Sequence, residues 1–255
     1  AEIKRLNSIY DGLLEKAGVD YYPHHACFID EHTLEVGNEK ITADKILIAV
    51  GGTPRKDIIP GAEYTHTSDE IFHLEKQPGH LLIIGGGYIA VEFAHIFHGM
   101  GSKVELCYRG DLFLRGFDDD MRQTLCEEMM KQGVELHFHC DLSRVEKKGD
   151  KLVAHMSSGQ TIETDCILSA IGRIPNTQGL NLDKIGLELE ENGQIKINNQ
   201  YQTNIEHIYA LGDVANRWNL TPVATAEGQT LARRLFGEQK EGSVCYQNIT
   251  TAIFS

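Results

Sequence analysis

Residues 81–115 read LLIIGGGYIAVEFAHIFHGMGSKVELCYRGDLFLR, and three patterns follow one another in them. An apolar run from Leu81 to Ile84 opens into Gly85-Gly86-Gly87. A helix-like stretch comes next, then a second apolar run ending at Cys107. Strand, glycine turn, helix and strand in that order grip the pyrophosphate of a dinucleotide. Gly85 permits the tight turn and Gly87 lets backbone approach phosphate. Ala90, in the third glycine's place, still allows a helix to pack closely on a strand. A G-x-G-x-x-A alone is a weak sign; with its flanking strands and helix it is a specific one. The residues after the second strand select the cofactor, because a reader of NAD carries a carboxylate there for the ribose 2′-hydroxyl. Here Tyr108 takes that place, followed by Arg109 and, six residues on, Arg115. Taken alone, each arginine reads as an ordinary solvated charge. Directly after such a strand, two guanidinium groups suit a 2′-phosphate, and the expected cofactor is NADPH.

Within the same unit, Tyr88 and Glu92 lie four apart and share a helix face. Glu92 stands among Val91, Phe93 and Ala94, an odd setting for a solvated charge, which suggests a partner outside the segment. Further along, TNIEHIYALGDVA at 203–215 reads as an apolar strand ending in Gly212-Asp213. An aspartate in that position is either a turn residue or an acceptor for sugar or ribityl hydroxyls. Thr221-Pro222 then opens a helix to about residue 236, with Thr at the cap and Pro in the first helical position. The start of that helix can stabilise negative charge on a bound group.

The remaining pattern is α/β. A helix is expected over residues 1–14 and strands over 26–30, 33–36 and 45–50. Beyond the dinucleotide unit, a helix is expected over 118–132, led by three aspartates and closed by Gly133, with a strand over 134–140. A hairpin at 143–157 turns at Gly149-Asp150, and strands follow at 166–172, 195–198 and 208–211. KILIAVGGTP (45–54) and CILSAIGRIP (166–175) echo each other as a strand followed by Gly-x-x-Pro. A matched pair of exits marks where a chain enters and leaves one domain; the alternative is two unrelated junctions.

The totals set limits. The 255 residues carry a net charge of −13, which disfavours nonspecific binding to nucleic acid or to an anionic membrane. No apolar run approaches the roughly 20 residues of a membrane span, and no signal peptide is read at the start. None of the six cysteines forms a metal-ligand pair, so buried reduced thiols in a reducing, cytoplasmic compartment are expected. The chain opens on Ala1, inside a helix pattern, and closes on the apolar run 251–255. Both ends read as cut, and a portion of a longer chain is expected.

GGGYIAVEF, the R-x5-R of 109–115, AIGRIPNT at 170–177 and YALGDVANRWNLTPVA at 209–224 occur together and in order. As a set they resemble the pyridine nucleotide-disulfide oxidoreductases, the glutathione reductases most closely. The resemblance implies Rossmann-type three-layer NAD(P)- and FAD-binding domains, with parallel sheets and an antiparallel β-meander. It implies that 1–50 closes a first FAD-domain segment, 51–175 is the NADPH-binding domain, 176–247 returns to the FAD domain, and 248–255 begins an interface domain. It implies a flavoenzyme in which NADPH reduces FAD and FAD reduces a disulfide. The substrate would be a small-molecule disulfide, and full-length members would be homodimers. By position, Gly85, Gly87 and Ala90 look like the pyrophosphate turn, and Arg109 and Arg115 like the 2′-phosphate pair. Tyr88 resembles the tyrosine over the nicotinamide pocket, Glu92 a glutamate that pairs with a lysine near the flavin. Gly172 and Arg173 resemble residues near bound NADPH. Asp213 resembles the aspartate that holds the FAD ribityl chain, and Thr221 the residue at the flavin ring edge.

There are departures. The family's first glycine fingerprint, its C-x4-C dithiol and its acid-base histidine are not among these residues. Weak or absent FAD and no disulfide turnover are therefore expected of these residues alone. Gln229 stands where many glutathione reductases carry an arginine that meets the glutathione carboxylate. A trypanothione- or mercuric-reductase-like enzyme and an isolated NADPH-binding module remain open, while the arginine pair argues against an NAD-using lipoamide dehydrogenase.

Overall fold

In the computed structural model, which describes residues 2–215, 218–237 and 242–255, the chain divides into two compact units. Ala1, Asn216, Arg217 and residues 238–241 fall in the expected first helix, the 209–224 motif and the return segment, and lie outside the described residues. One unit comprises Ala1–Gly51 and Pro175–Val244, the other Gly52–Ile174 and Cys245–Ser255. The division falls inside the two Gly-x-x-Pro exits.

The first unit opens with α1 (Glu2–Lys16), which buries none of its residues. An antiparallel ladder follows, made of β1 (Ala26–Phe28), β2 (Thr33–Val36) and β3 (Glu39–Thr42), and then the short strand β4 (Ile46–Ile48).

The second unit begins with β5 (Gly52–Pro54) and α2 (Ser68–Ile71). Thr67 and Glu70 form a capping box at its start: the Thr67 side chain accepts from Asp69 N–H and the Glu70 carboxylate accepts from Thr67 N–H. Next come β6 (His80–Ile84), α3 (Tyr88–Gly99), β7 (Lys103–Tyr108), α4 (Asp119–Gln132) and β8 (Glu135–Phe138). The antiparallel strands β9 (Leu142–Lys148), β10 (Lys151–Met156) and β11 (Thr161–Thr164) precede β12 (Cys166–Ser169) and β13 (Arg173–Pro175). The parallel sheet has the order β12-β6-β7-β8. Leu81–Ile84 of β6 are an unbroken apolar run because both faces of the strand are covered there. Leu81, Ile83, Val104 and Leu106 meet Ala90, Phe93, Ala94 and Phe97 of α3 and Met129 of α4. On the other face Leu82, Ile84 and Cys107 meet Val145, Leu152, Ala154 and Ile162 of the β11-β10-β9 meander. Helices, parallel sheet and antiparallel meander are thus three layers around two cores. Cys245–Ser255 joins this unit, with Ile253 packed on the helix-side core.

Helix α4 shows how local chemistry sets the boundaries. Asp118 is its N-cap, accepting from Asp120 N–H at 3.1 Å and Met121 N–H at 3.2 Å. Gly133 ends it in the left-handed region at φ 101°. Asp118→Ala is expected to cost the unit about 1 kcal/mol, read as a lower urea midpoint with an unchanged slope.

The chain then returns to the first unit. Strand β14 (Ile208–Ala210) pairs in parallel with β4, and Phe28, Ile46, Ile48, Ile195, Ile208 and Val214 form the core there. Two local expectations differ from what is found. Residues 195–198 make only an isolated bridge, Leu189 to Ile195, because Ile195 N–H goes to Val214 and Asn198 turns the chain back toward Gln202. Helix α5 (Thr221–Phe236) takes Leu220 as its N-cap, so Thr221 is already helical and Pro222 follows it in the first turn. Proline is tolerated there because first-turn N–H groups have no intrahelical partner. Among the described residues no helix is long and apolar enough to cross a membrane.

Candidate functional site

A cleft of about 500 Å³ opens at the carboxyl ends of β6 and β7. Its floor is the glycine turn, and each glycine has its own reason. Gly85 has φ 139°, and its N–H donates to Cys107 O at 2.9 Å. A Cβ there would lie 2.3 Å from the carbonyl oxygen of Ala170. At Gly86 a Cβ would lie 2.4 Å from the Tyr108 ring. Gly87 is the N-cap of α3 in extended backbone, with open space where a Cβ would be and no side chain capping the helix. Gly87 brings no side chain to the first turn of α3, which opens at the cleft, the arrangement that receives an anion. Ala90 is fully buried under this turn.

The two arginines reach the cleft by different routes. Arg109 follows β7 directly. Arg115 is brought back by the loop 109–117, whose Leu114 donates its N–H to Gly86 O at 2.7 Å. Leu114 adopts φ 57°, a left-handed conformation rare for leucine, while its side chain is 5% exposed in the core. Arg122 of α4 pins the same loop, donating to Phe113 O at 2.8 Å and Leu112 O at 2.7 Å. Arg109 and Arg115 both line the cleft, are exposed, and pair with no carboxylate among the described residues.

Gly85, Gly87, Tyr88, Arg109, Arg115 and Gly172 thus come together around one cleft. Tyr88, at the first turn of α3, is 43% exposed on its rim. Arg173 does not line it; its guanidinium donates to Gly52 O and lies 3.9 Å from Asp69. Glu92 is half-buried on α3 and accepts the N–H of Phe254 at 3.0 Å, a partner 162 residues away. Beside it Ser255 Oγ and His95 Nδ1 are 2.5 Å apart. Asp213 and Thr221 belong to the first unit. Asp213 sits half-buried in the short 3-10 turn Gly212–Val214, which buried Glu227 holds by accepting Gly212 N–H at 2.9 Å. Thr221 is exposed at the start of α5, which has no side-chain cap.

Three charged cleft residues were not legible beforehand: Arg55, Asp57 and Asp141. Arg55 is tied to the site by its N–H to Gly172 O at 2.9 Å, a pairing between the two exits. The repeated Gly-x-x-Pro was the signal for it. The cleft offers no thiolate: burial pushes the Cys107 thiol far up, and Cys166 beneath the sheet is pushed up to about 12 by the same cause. The arrangement can bind and orient an anion with a diphosphate and a further phosphate.

Residues 1–228 match the family described as pyridine nucleotide-disulphide oxidoreductase. The chain is 42% identical to a glutathione reductase of Nostoc sp. (strain PCC 7120) over 266 residues, covering all of this chain and 58% of that protein. It is 40% identical to a glutathione reductase of Burkholderia cepacia, covering all of this chain and 57% of that protein. Among solved structures, the HOCl-induced flavoprotein disulfide reductase RclA from Escherichia coli is 30% identical with a TM-score of 0.85, over 94% of this chain and 58% of that one. LpdA from Mycobacterium tuberculosis, at 24% identity and a TM-score of 0.89 over 99% of this chain and 57% of that one, shares the fold. The chain therefore spans a little under three fifths of the proteins it matches.

Proposed function

The chain belongs to the pyridine nucleotide-disulphide oxidoreductase family, and from that premise we propose that it supplies the NADPH-receiving part of a flavin disulfide reductase whose substrate is glutathione disulfide. One observation carries the choice of coenzyme: Arg109 and Arg115 converge on the cleft because the Arg115 loop is hydrogen-bonded to the glycine turn through Leu114 and Gly86. The pyrophosphate would rest on the N–H groups of the Gly85–Gly87 turn and α3. Ala90 allows the close helix packing that brings those groups to the phosphate. The 2′-phosphate would lie between the guanidinium groups. Tyr88, exposed at the rim, would cover the nicotinamide, with Glu92 one helical turn on, and Gly172 would leave room for the coenzyme's backbone.

The first unit fits a flavin in two respects. Asp213 is held on a fixed turn where its carboxylate can accept from ribityl hydroxyls, and the start of α5 at Thr221 has no side-chain cap. Bound FAD would supply the two-electron chemistry between nicotinamide and disulfide. These 255 residues hold no C-x4-C pair, so the disulfide half-reaction is assigned to residues outside them. Weak retention of FAD by this chain alone belongs to the same reading.

The glutathione assignment rests on the two relatives named glutathione reductase at 42% and 40% identity. Gln229, exposed on α5, favours a second reading, a disulfide without the glutathione carboxylate at that point. A protein carrying this chain together with the dithiol and histidine segments, loaded with FAD, is expected to oxidise NADPH with glutathione disulfide. Turnover of trypanothione disulfide or mercuric ion with none of glutathione disulfide would contradict the substrate. The 255-residue chain by itself is expected to show no glutathione-dependent oxidation of NADPH.

A further inference from the structure

A second polar centre lies on the meander face of the parallel sheet, on strands β6, β7 and β8. Strand register builds it. His80 stands opposite Lys103, and Glu105 opposite Glu135, with His137 two residues further along β8. Side chains alternate between faces along a strand, so these five share the face of Leu82 and Cys107. Glu105 is only 5% exposed, yet it is the hub. Its Oε1 accepts from Lys103 Nζ at 2.8 Å, and its Oε2 faces His137 Nε2 at 2.8 Å. Lys103 also reaches Glu135 Oε1 at 3.1 Å. His80 Nε2 comes within 3.0 Å of Glu105 Oε1 but is not aligned for a hydrogen bond, and this buried nitrogen has no other partner among the described residues. Burial works to raise the Glu105 carboxyl, but Lys103 and His137 outweigh it and hold it below the usual range, so the hub is an anion.

The balance of charge and the spacing of atoms both call for a cation. Two carboxylates face one ammonium, leaving one negative charge uncompensated when both imidazoles are neutral. Ligand atoms of Glu105, Glu135 and His137 lie within 4.8 Å of one another. A tetrahedral ion with bonds of roughly 2.0–2.1 Å sets its ligand atoms about 3.3 Å apart. The 2.8 Å separation of His137 Nε2 from Glu105 Oε2 needs only a small expansion to reach that, while His80, 3.0 Å from the other Glu105 oxygen, lies outside this group. Imidazole and carboxylate donors together suit zinc.

We propose that His137, Glu105 and Glu135 form a site for one divalent transition metal, zinc by its donor set with water completing its shell, and that Lys103 takes the cation's place when the metal is absent. Lys103 is half exposed at the start of β7, so its ammonium can swing to solvent as the ion enters. The metal would join β7 and β8 at the end of β7 opposite Arg109, and its role would be to fasten the sheet. The site depends on none of the nucleotide-binding residues.

The chain, stripped with a chelating resin and with its thiols alkylated, is titrated with zinc chloride against a chromophoric chelator. One equivalent of zinc per chain is expected, together with a higher thermal midpoint. His137→Ala should weaken binding about ten-fold or more. Lys103→Ala should tighten it, because the competing ammonium is gone; a residue needed only for packing would not shift affinity in that direction. Cobalt substitution should give weak visible bands without thiolate charge transfer. No stoichiometric uptake, uptake unchanged in His137→Ala, or weaker uptake in Lys103→Ala would overturn the site. Should His137→Ala fail to fold, the sign of the Lys103→Ala effect decides alone.

Discussion

Alanine at both Arg109 and Arg115 is expected to weaken NADPH binding about 100-fold or more and to change NADH binding little. Each charged hydrogen bond contributes roughly 1.5–3 kcal/mol. Because both side chains are exposed, solvent and salt screen them, and the lower end of that range applies. Two such losses of about 1.4 kcal/mol each make a factor of about 100. Either single alanine variant should lose about ten-fold. NADH is the internal control, since it lacks the phosphate and meets the same glycine turn. Lysine in place of either arginine keeps the charge but loses the planar fork, and should recover only part of the affinity. The check is a fluorescence titration of each variant with both coenzymes at two salt concentrations. Equal losses for both coenzymes would mean that the arginines hold the loop rather than the phosphate.

The glycine turn gives the second large effect, because two of its residues should fail in opposite ways. At Gly85, φ is 139° and an added Cβ would lie 2.3 Å from the Ala170 carbonyl oxygen. Gly85→Ala must move backbone where β6 and β12 are paired, and is expected to destabilise the unit by about 3 kcal/mol or more. At Gly87 the backbone is extended and nothing lies within 4 Å of an added Cβ. Gly87→Val should fold with a near-normal thermal midpoint, while its side chain stands where a diphosphate would approach α3. A loss of nucleotide affinity of at least about ten-fold is expected, for NADPH and NADH alike. Thermal unfolding combined with nucleotide titration separates the two cases. A Gly87→Val protein that binds like the parent would remove the pyrophosphate from this turn.

Much of this was legible because it is local. The strand-turn-helix-strand unit at 81–108 shows its periodicities within one window, and Asp118 and Gly133 bracket α4 by capping chemistry that acts within one turn. The α/β order followed from the succession of strands and helices, and the three layers from the family resemblance. What escaped depends on distant pairing. Whether Ile195 begins a strand is settled by Val214, and only one bridge forms. Thr221 was read as a cap, but the helix begins one residue earlier because Leu220 already accepts from Val223 and Ala224. Arg55 and Asp57 reach the cleft only because the two exits of one unit lie side by side. The setting of Glu92 among apolar residues hinted at a distant partner, but not at the backbone of Phe254. The His80, Glu105 and His137 cluster exists only once β6, β7 and β8 are adjacent and in register, which no one-dimensional pattern states.

The central claim is that paired guanidinium groups at the end of β7 recognise a phosphate on the ribose. Calorimetric titration of the unmodified chain with 2′,5′-ADP and with 5′-AMP tests it without a flavin, a nicotinamide or a disulfide. The account predicts at least about ten-fold tighter binding of the doubly phosphorylated nucleotide, with the gap narrowing as salt rises. Equal affinities for the two, at low salt, would contradict it.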